Sequence, residues 1–221
     1  MVSLSKIILI LASCFALTFI VIKATGILTV DQIQAWLEMA KSTHKVYVFV
    51  IVIGLLFADL FIAVPTLSIV ILSGYFLGFP LAIIASLLGM SLAGIVGFWL
   101  SLRLGDVFLL KLLNNEKERE NAINAFNQHG FIFILLSRAM PILPEVSACL
   151  AGITAMHFKR FFMAWTFSMV PYATVATYAG SISSITNPKP AIYAAIGISA
   201  TLWLSWVIYH RYNKTPTTIN N

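Results

Sequence analysis

Arg138 and Glu145 stand seven residues apart in the run S-R-A-M-P-I-L-P-E-V-S-A-C-L-A-G, Ser137 to Gly152, inside an otherwise apolar region. A charged side chain at the centre of a bilayer costs roughly 2.5–3.5 kcal/mol on insertion scales, so each needs a partner, water or a substrate. An arginine brings a fixed positive charge and a planar fork of donors that matches the oxygens of a phosphate. Asp59, near the far end of the apolar run 46–64, is a third ionisable group in the same kind of setting. Either carboxyl can serve to take up and release a proton. Pro141 and Pro144 supply no backbone N–H and push the residues before them out of helix, so the chain must break here. Broken backbone at membrane depth is tolerated only where protein buries it or where it lines a cavity. The segment therefore reads as re-entrant, beside a polar cavity. Three plainer roles remain open: a structural ion pair or carbonyl cap for Arg138, an interfacial position for Asp59, and a helix N-cap for Glu145.

The elements that must hold these groups are apolar helices. The 221 residues are 60% hydrophobic and only 10% charged, with mean hydropathy +0.93. Soluble domains carry about a quarter charged residues, so an integral membrane protein is expected. The net charge of +6 comes from basic residues scattered at the ends of apolar segments, a topology signal and not a nucleic-acid footprint. Cys14 and Cys149 both lie in apolar runs, which argues against a disulfide framework or a thiolate metal site. Residues 7–22 form a first span between Lys6 and Lys23. Leu11-Ala12-Ser13-Cys14 looks like a lipoprotein cleavage box, but the apolar run continues eight residues past the cysteine, so an uncleaved helix is preferred. Residues 30–45 alternate Ile33, Trp36, Leu37 and Ala40 with polar positions at helical spacing, as an interfacial amphipathic helix or a simple connector would.

Residues 46–64 then read as a full span. The segment Pro65 to Pro80 is too short to cross and is expected to bend at Gly74, Gly78 and Pro80, entering and leaving on one side. Residues 81–104 give a span with a small-residue face for helix packing. Residues 105–129 are the most polar stretch, expected as a surface helix broken near Asn114-Asn115, with a short apolar helix 131–136 beyond Gly130. Spans are expected again at about 158–182 and 190–209. In each half an apolar helix meets proline, then a short arm ending in glycine (Pro65 to Gly74, Pro144 to Gly152), then a long span. An internal repeat of this kind is the usual pointer to a transporter's binding site. If the two arms dip from opposite leaflets, eleven of the 14 basic residues fall on one side and two on the other, with Arg138 embedded. That bias supports the opposed arrangement. The expected architecture is all-α: about five transmembrane helices plus two opposed re-entrant hairpins, related as an inverted repeat. Its parts are residues 1–45, a core over 46–182, and a last helix and tail over 183–221.

The run F-I-L-L-S-R-A-M-P-I-L-P followed by A-G-I-T-A-M-H-F-K-R-F, with P-T-L-S-I-V-I-L-S-G-Y-F-L-G and a glycine-rich span ending L-R-L-G-D, resembles the DedA/VTT-domain superfamily, also called SNARE-associated Golgi proteins. The likeness covers roughly 46–182. It implies opposed re-entrant loops in a cell-membrane protein that moves lipids between leaflets, with phospholipid or undecaprenyl phosphate as substrate and protons as a coupling ion. By the same resemblance Arg138 and Pro141 match an R-x-x-P motif, Asp59 falls near the membrane acid ahead of the first hairpin, and Gly74 and Gly152 match the hairpin glycines. Many members carry a second arginine shortly after that proline; here Pro144 and Glu145 occupy the region.

The working expectation is a multi-pass lipid translocator of flippase or scramblase type. Arg138 would bind a lipid phosphate or hold Asp59 or Glu145 until one protonates, with Pro65, Gly78 and Pro144 shaping the hairpins. No cofactor, metal or nucleic acid is called for, and homo-oligomers are allowed. His44, His129, His157 and His210 show no ligand spacing. An enzyme is disfavoured because no nucleophile and base can be paired. The tryptophans and tyrosines, Trp165 and Tyr172 among them, read as belt or packing residues. Two other classes stay in view: an ion or proton channel or antiporter, and a membrane scaffold recruiting partners through 105–129.

Overall fold

A computed structural model describes residues 7–13, 17, 20, 35, 44–62, 64–112, 116–139, 143–183 and 189–212. Among these, residues 7–13 are helical and no strand occurs. Seven helices follow: α1 (Lys45–Ala58), α2 (Thr66–Leu77), α3 (Phe79–Leu112), α4 (Glu116–Leu136), α5 (Leu143–Ile153), α6 (Phe158–Ser181) and α7 (Lys189–Tyr212), with a single 3₁₀ turn over Ser137–Ala139. The amphipathic helix expected over 30–45 falls almost wholly outside the described residues, as does Pro141.

Several boundaries differ from those the sequence suggests. The span expected over 46–64 stops at Ala58, because Asp59 begins a turn in which Phe61 N–H and Ile62 N–H both donate to the Ala58 carbonyl at 2.9 Å. At 1.5 Å per residue, the 14 residues of α1 make about 21 Å, short of a hydrocarbon core of about 30 Å. The arms α2 and α5, of 12 and 11 residues, are shorter still. Among the described residues, Phe79–Gly105 is the one helical stretch both long and apolar enough to cross. The helix expected to begin after Gly130 begins at Glu116 and runs through it, since one glycine costs a helix only about 1 kcal/mol.

Long α3 is the spine. It packs against α1, α2, α5 and α6 and buries Ala82, Ala85, Met90 and Phe98. The short arms exchange partners: α2 lies chiefly along α6, the long helix of the second half, and α5 chiefly along α3, the long helix of the first. Glycine makes both crossings possible. A Cβ on Gly74 would sit against the Thr177 carbonyl, and one on Gly152 would come within 2.3 Å of the Phe98 carbonyl oxygen and 2.8 Å of the Leu102 nitrogen. Close approach of this kind replaces apolar burial as the association force where the surroundings are lipid. The turn between α2 and α3 is made by Gly78 alone, at φ 76° and ψ 161°; Gly74, expected to share the bend, serves the crossing instead. Between α5 and α6 the chain turns with Ala155 at φ 50°, Met156 N–H donating to the Ala151 carbonyl and Ala155 N–H to that of Gly152, both at 2.9 Å. That is a Schellman-type end with alanine at the left-handed position.

Candidate functional site

The three ionisable residues singled out by sequence come together. Asp59, in the turn after α1, Arg138, in the 3₁₀ turn after α4, and Glu145, in the first turn of α5, line one cavity with Met90 and Ala93 of α3 and Trp165 of α6. The cavity holds about 10 Å³ of room for the centre of a water molecule, which is about one water's worth.

Each group is placed by a local feature of its segment. Asp59 is 7% exposed, and its Oδ1 accepts the Val64 N–H at 3.0 Å while Oδ2 accepts the hydroxyl proton of Thr66. Proline explains why those donors are there. Pro65 holds Val64 out of helix, which leaves the Val64 N–H without a ladder partner, and Thr66 opens α2 directly behind it. Glu145 sits at the start of α5, where an acid favours the positive end of the helix dipole. Its carboxyl lies within hydrogen-bonding reach of Asp59's. Glu145 is the third residue of α5, so it lies inside the first turn and not at the N-cap position that the sequence allowed it.

Arg138 is held differently. Its Cζ lies 5.4 Å from the centre of the Trp165 ring and 5.0 Å from that of Tyr172, over the face of each. Contacts of that kind contribute about 0.5–2 kcal/mol each. Among the described residues no carboxylate forms an ion pair with the guanidinium and no acceptor takes a hydrogen bond from it, although Asp59 and Glu145 are near enough to be felt electrostatically. The Ser137 hydroxyl donates to the Ile134 carbonyl at 2.7 Å, closing the turn that carries the arginine.

Trp165 and Tyr172 were not singled out by sequence, because aromatic residues in apolar spans are commonplace. Their signal was spacing: seven residues apart on one helix, they share a face. Trp165 is itself fixed, its Nε1–H donating to the Met90 carbonyl at 3.2 Å and its ring filling the space left by Gly94, where a Cβ would come within 2.5 Å of the indole. Pro65 and Gly78 flank α2 as its N-cap and C-cap, while Pro144 lies inside α5, buried in its first turn, where a missing N–H costs nothing. The arrangement can hold an anion at a fixed cation and exchange a proton beside it.

The profile of the VTT domain matches residues 64–182. The chain is 28% identical over 183 residues to the uncharacterized protein YqeD of Bacillus subtilis (strain 168), covering 82% of this chain and 86% of that one. It is also 28% identical over 108 residues to undecaprenyl phosphate transporter A of the same organism, covering 47% of this chain and 54% of the transporter, so it spans about half that relative's length. No solved structure matches it.

Proposed function

The chain belongs to the VTT-domain family, and from that premise we propose that it is a multi-pass membrane protein that carries a lipid phosphate from one leaflet to the other, with Arg138 as the phosphate-binding group. The single observation that carries the reading is that a half-buried arginine, bracketed by rings and left without a hydrogen bond among the described residues, faces a cavity shared with two carboxyls. The relative named as an undecaprenyl phosphate transporter supports lipid phosphate as the substrate class.

In this reading the core over 46–182 is an inverted repeat whose arms α2 and α5 dip from opposite sides. Their lengths of about 18 and 16 Å support arms that enter and leave on one side each, since neither crosses a core of about 30 Å. The phosphate docks on the arginine fork with its chains left in the bilayer. A proton on the Asp59–Glu145 pair and the negative charge on the phosphate offset one another, so substrate and proton travel together. Since the cavity admits about one water, the phosphate enters only when the packing around α5 opens.

The test is reconstitution of the full chain into liposomes containing fluorescent phospholipid or polyprenyl phosphate, with and without a proton gradient. Wild type is expected to translocate the lipid, Arg138→Ala to lose at least 100-fold, and Glu145→Gln to lose its response to the gradient. Equal flipping by all three would remove Arg138 and Glu145 from the site. Robust ion flux without transport of any lipid would instead make the protein a channel or antiporter.

A further inference from the structure

We propose that Trp165 and Tyr172 are positioning residues, which hold the Arg138 guanidinium by its contacts with their ring faces and so keep its N–H edge presented to an incoming phosphate. The inference rests on the reading of Arg138 as the phosphate-binding group and goes beyond it, because neither ring lies in the matched R-x-x-P segment and neither carries a charge.

A long, flexible side chain that must meet a planar, two-oxygen anion gains from being ordered beforehand. Carboxylates would order it too, but an ion pair would occupy the donors that the phosphate needs. Ring faces hold the cation and leave those donors alone. Asp59 is in addition already committed to Val64 and Thr66, which keeps it from closing on the arginine. The support then runs outward to the spine. Trp165 cannot swing, because its indole N–H is tied to Met90 and its ring is wedged where Gly94 lacks a Cβ. Phe161, with its ring centre 5.6 Å away, supports it from one turn before. Gly94 on α3 thereby sets the arginine's position through the indole.

Two measurements on the full-length protein test this. The first is the half-saturating mole fraction of fluorescent polyprenyl phosphate in phosphatidylcholine vesicles. Trp165→Leu and Tyr172→Leu are expected to raise it about ten-fold, with the maximal rate within a factor of two. Trp165→Phe and Tyr172→Phe, which keep a ring face, are expected to recover most of the loss, and Gly94→Ala to raise it about three-fold by displacing the indole. The second is the rate at which an arginine-specific dicarbonyl labels Arg138 in detergent, read by peptide mass against the exposed Arg103 and Arg160 of the same molecule. Trp165→Leu is expected to speed labelling of Arg138 about ten-fold and to leave the two controls unchanged. If Trp165→Leu does not fold, Tyr172→Leu and Gly94→Ala carry both measurements. Unchanged half-saturation in the leucine variants, alongside a dead Arg138→Ala, overturns the positioning role and leaves the transport reading standing. A wild type that moves no lipid overturns the transport reading, and the labelling rate then decides the positioning role: no change at Arg138 ends it.

Discussion

The two halves of the core are built on one plan and finished differently. Asp59 stands six residues ahead of Pro65, and Arg138 six ahead of Pro144; Thr66 and Glu145 directly follow those prolines. In the first half the matched pair closes on itself, the Thr66 hydroxyl donating to Asp59. In the second half the matched pair does not: Glu145 turns across to Asp59, and Arg138 is left to the rings of α6. A single backbone frame thus yields one carboxyl held by donors of its own segment and one cation held by ring faces. The contrast teaches that the same position can be closed or left open according to whether the residue seven positions on bonds to it, as Thr66 does to Asp59.

The comparison is tested most severely at the helix crossings, where the halves should behave alike. A leucine at Gly74 or at Gly152 must push backbone, because the atoms in the way are the Thr177 carbonyl in one case and the Phe98 carbonyl and Leu102 nitrogen in the other. Each substitution is expected to cost about 3 kcal/mol, seen as loss of cooperative thermal unfolding in detergent. If one variant folds normally and the other does not, the exchange of arms between halves is not a shared device.

The next effect separates the halves. Asp59→Asn leaves one acceptor oxygen where two donors now converge, and Thr66→Val removes a donor from a buried carboxylate, so both should destabilise, by about 2 and about 1 kcal/mol. Glu145→Gln keeps its size and still bonds to Asp59, and is expected to change stability by less than about 0.5 kcal/mol while altering transport. Thermal melts of the three variants, paired with the liposome assay, read both quantities. A Glu145→Gln protein that melts like Asp59→Asn would make the two acids equally structural and erase the distinction.

The grouping of Asp59, Arg138 and Glu145 was legible because ionisable residues in apolar runs have to find one another, and the paired prolines marked where the chain breaks. What hydropathy could not show was the end of α1. The apolar run continues through Leu60, Phe61 and Ile62, yet the helix stops at Ala58, since Asp59 captures the N–H that Pro65 strands. Gly130 misled in the opposite direction: it reads as a breaker, and the helix passes through it with the Phe126 ring packed where a side chain would be. Trp165 stayed hidden for a third reason. Its importance lies in what it touches, Gly94 and Met90 on α3 and Arg138 across the cavity, and those contacts exist only after folding.

The smallest expected effects lie at the two turns, which again solve one problem with different residues. Gly78 has φ 76° and ψ 161°, a region essentially confined to glycine, and a Cβ there would meet nothing within 4 Å. Any cost of Gly78→Ala is therefore backbone strain alone, about 1 kcal/mol. Ala155, at φ 50°, occupies the ordinary left-handed region, which costs an L residue roughly 1 kcal/mol. Glycine at 155 would remove that strain but add a similar amount of freedom to the unfolded chain. Ala155→Gly is thus expected to move the melting temperature by less than about 1 °C, and Gly78→Ala to lower it by about 3 °C. Equal shifts at both sites would mean that the turn of the second half is as demanding as that of the first, and that its four-residue, Schellman-type construction confers no tolerance.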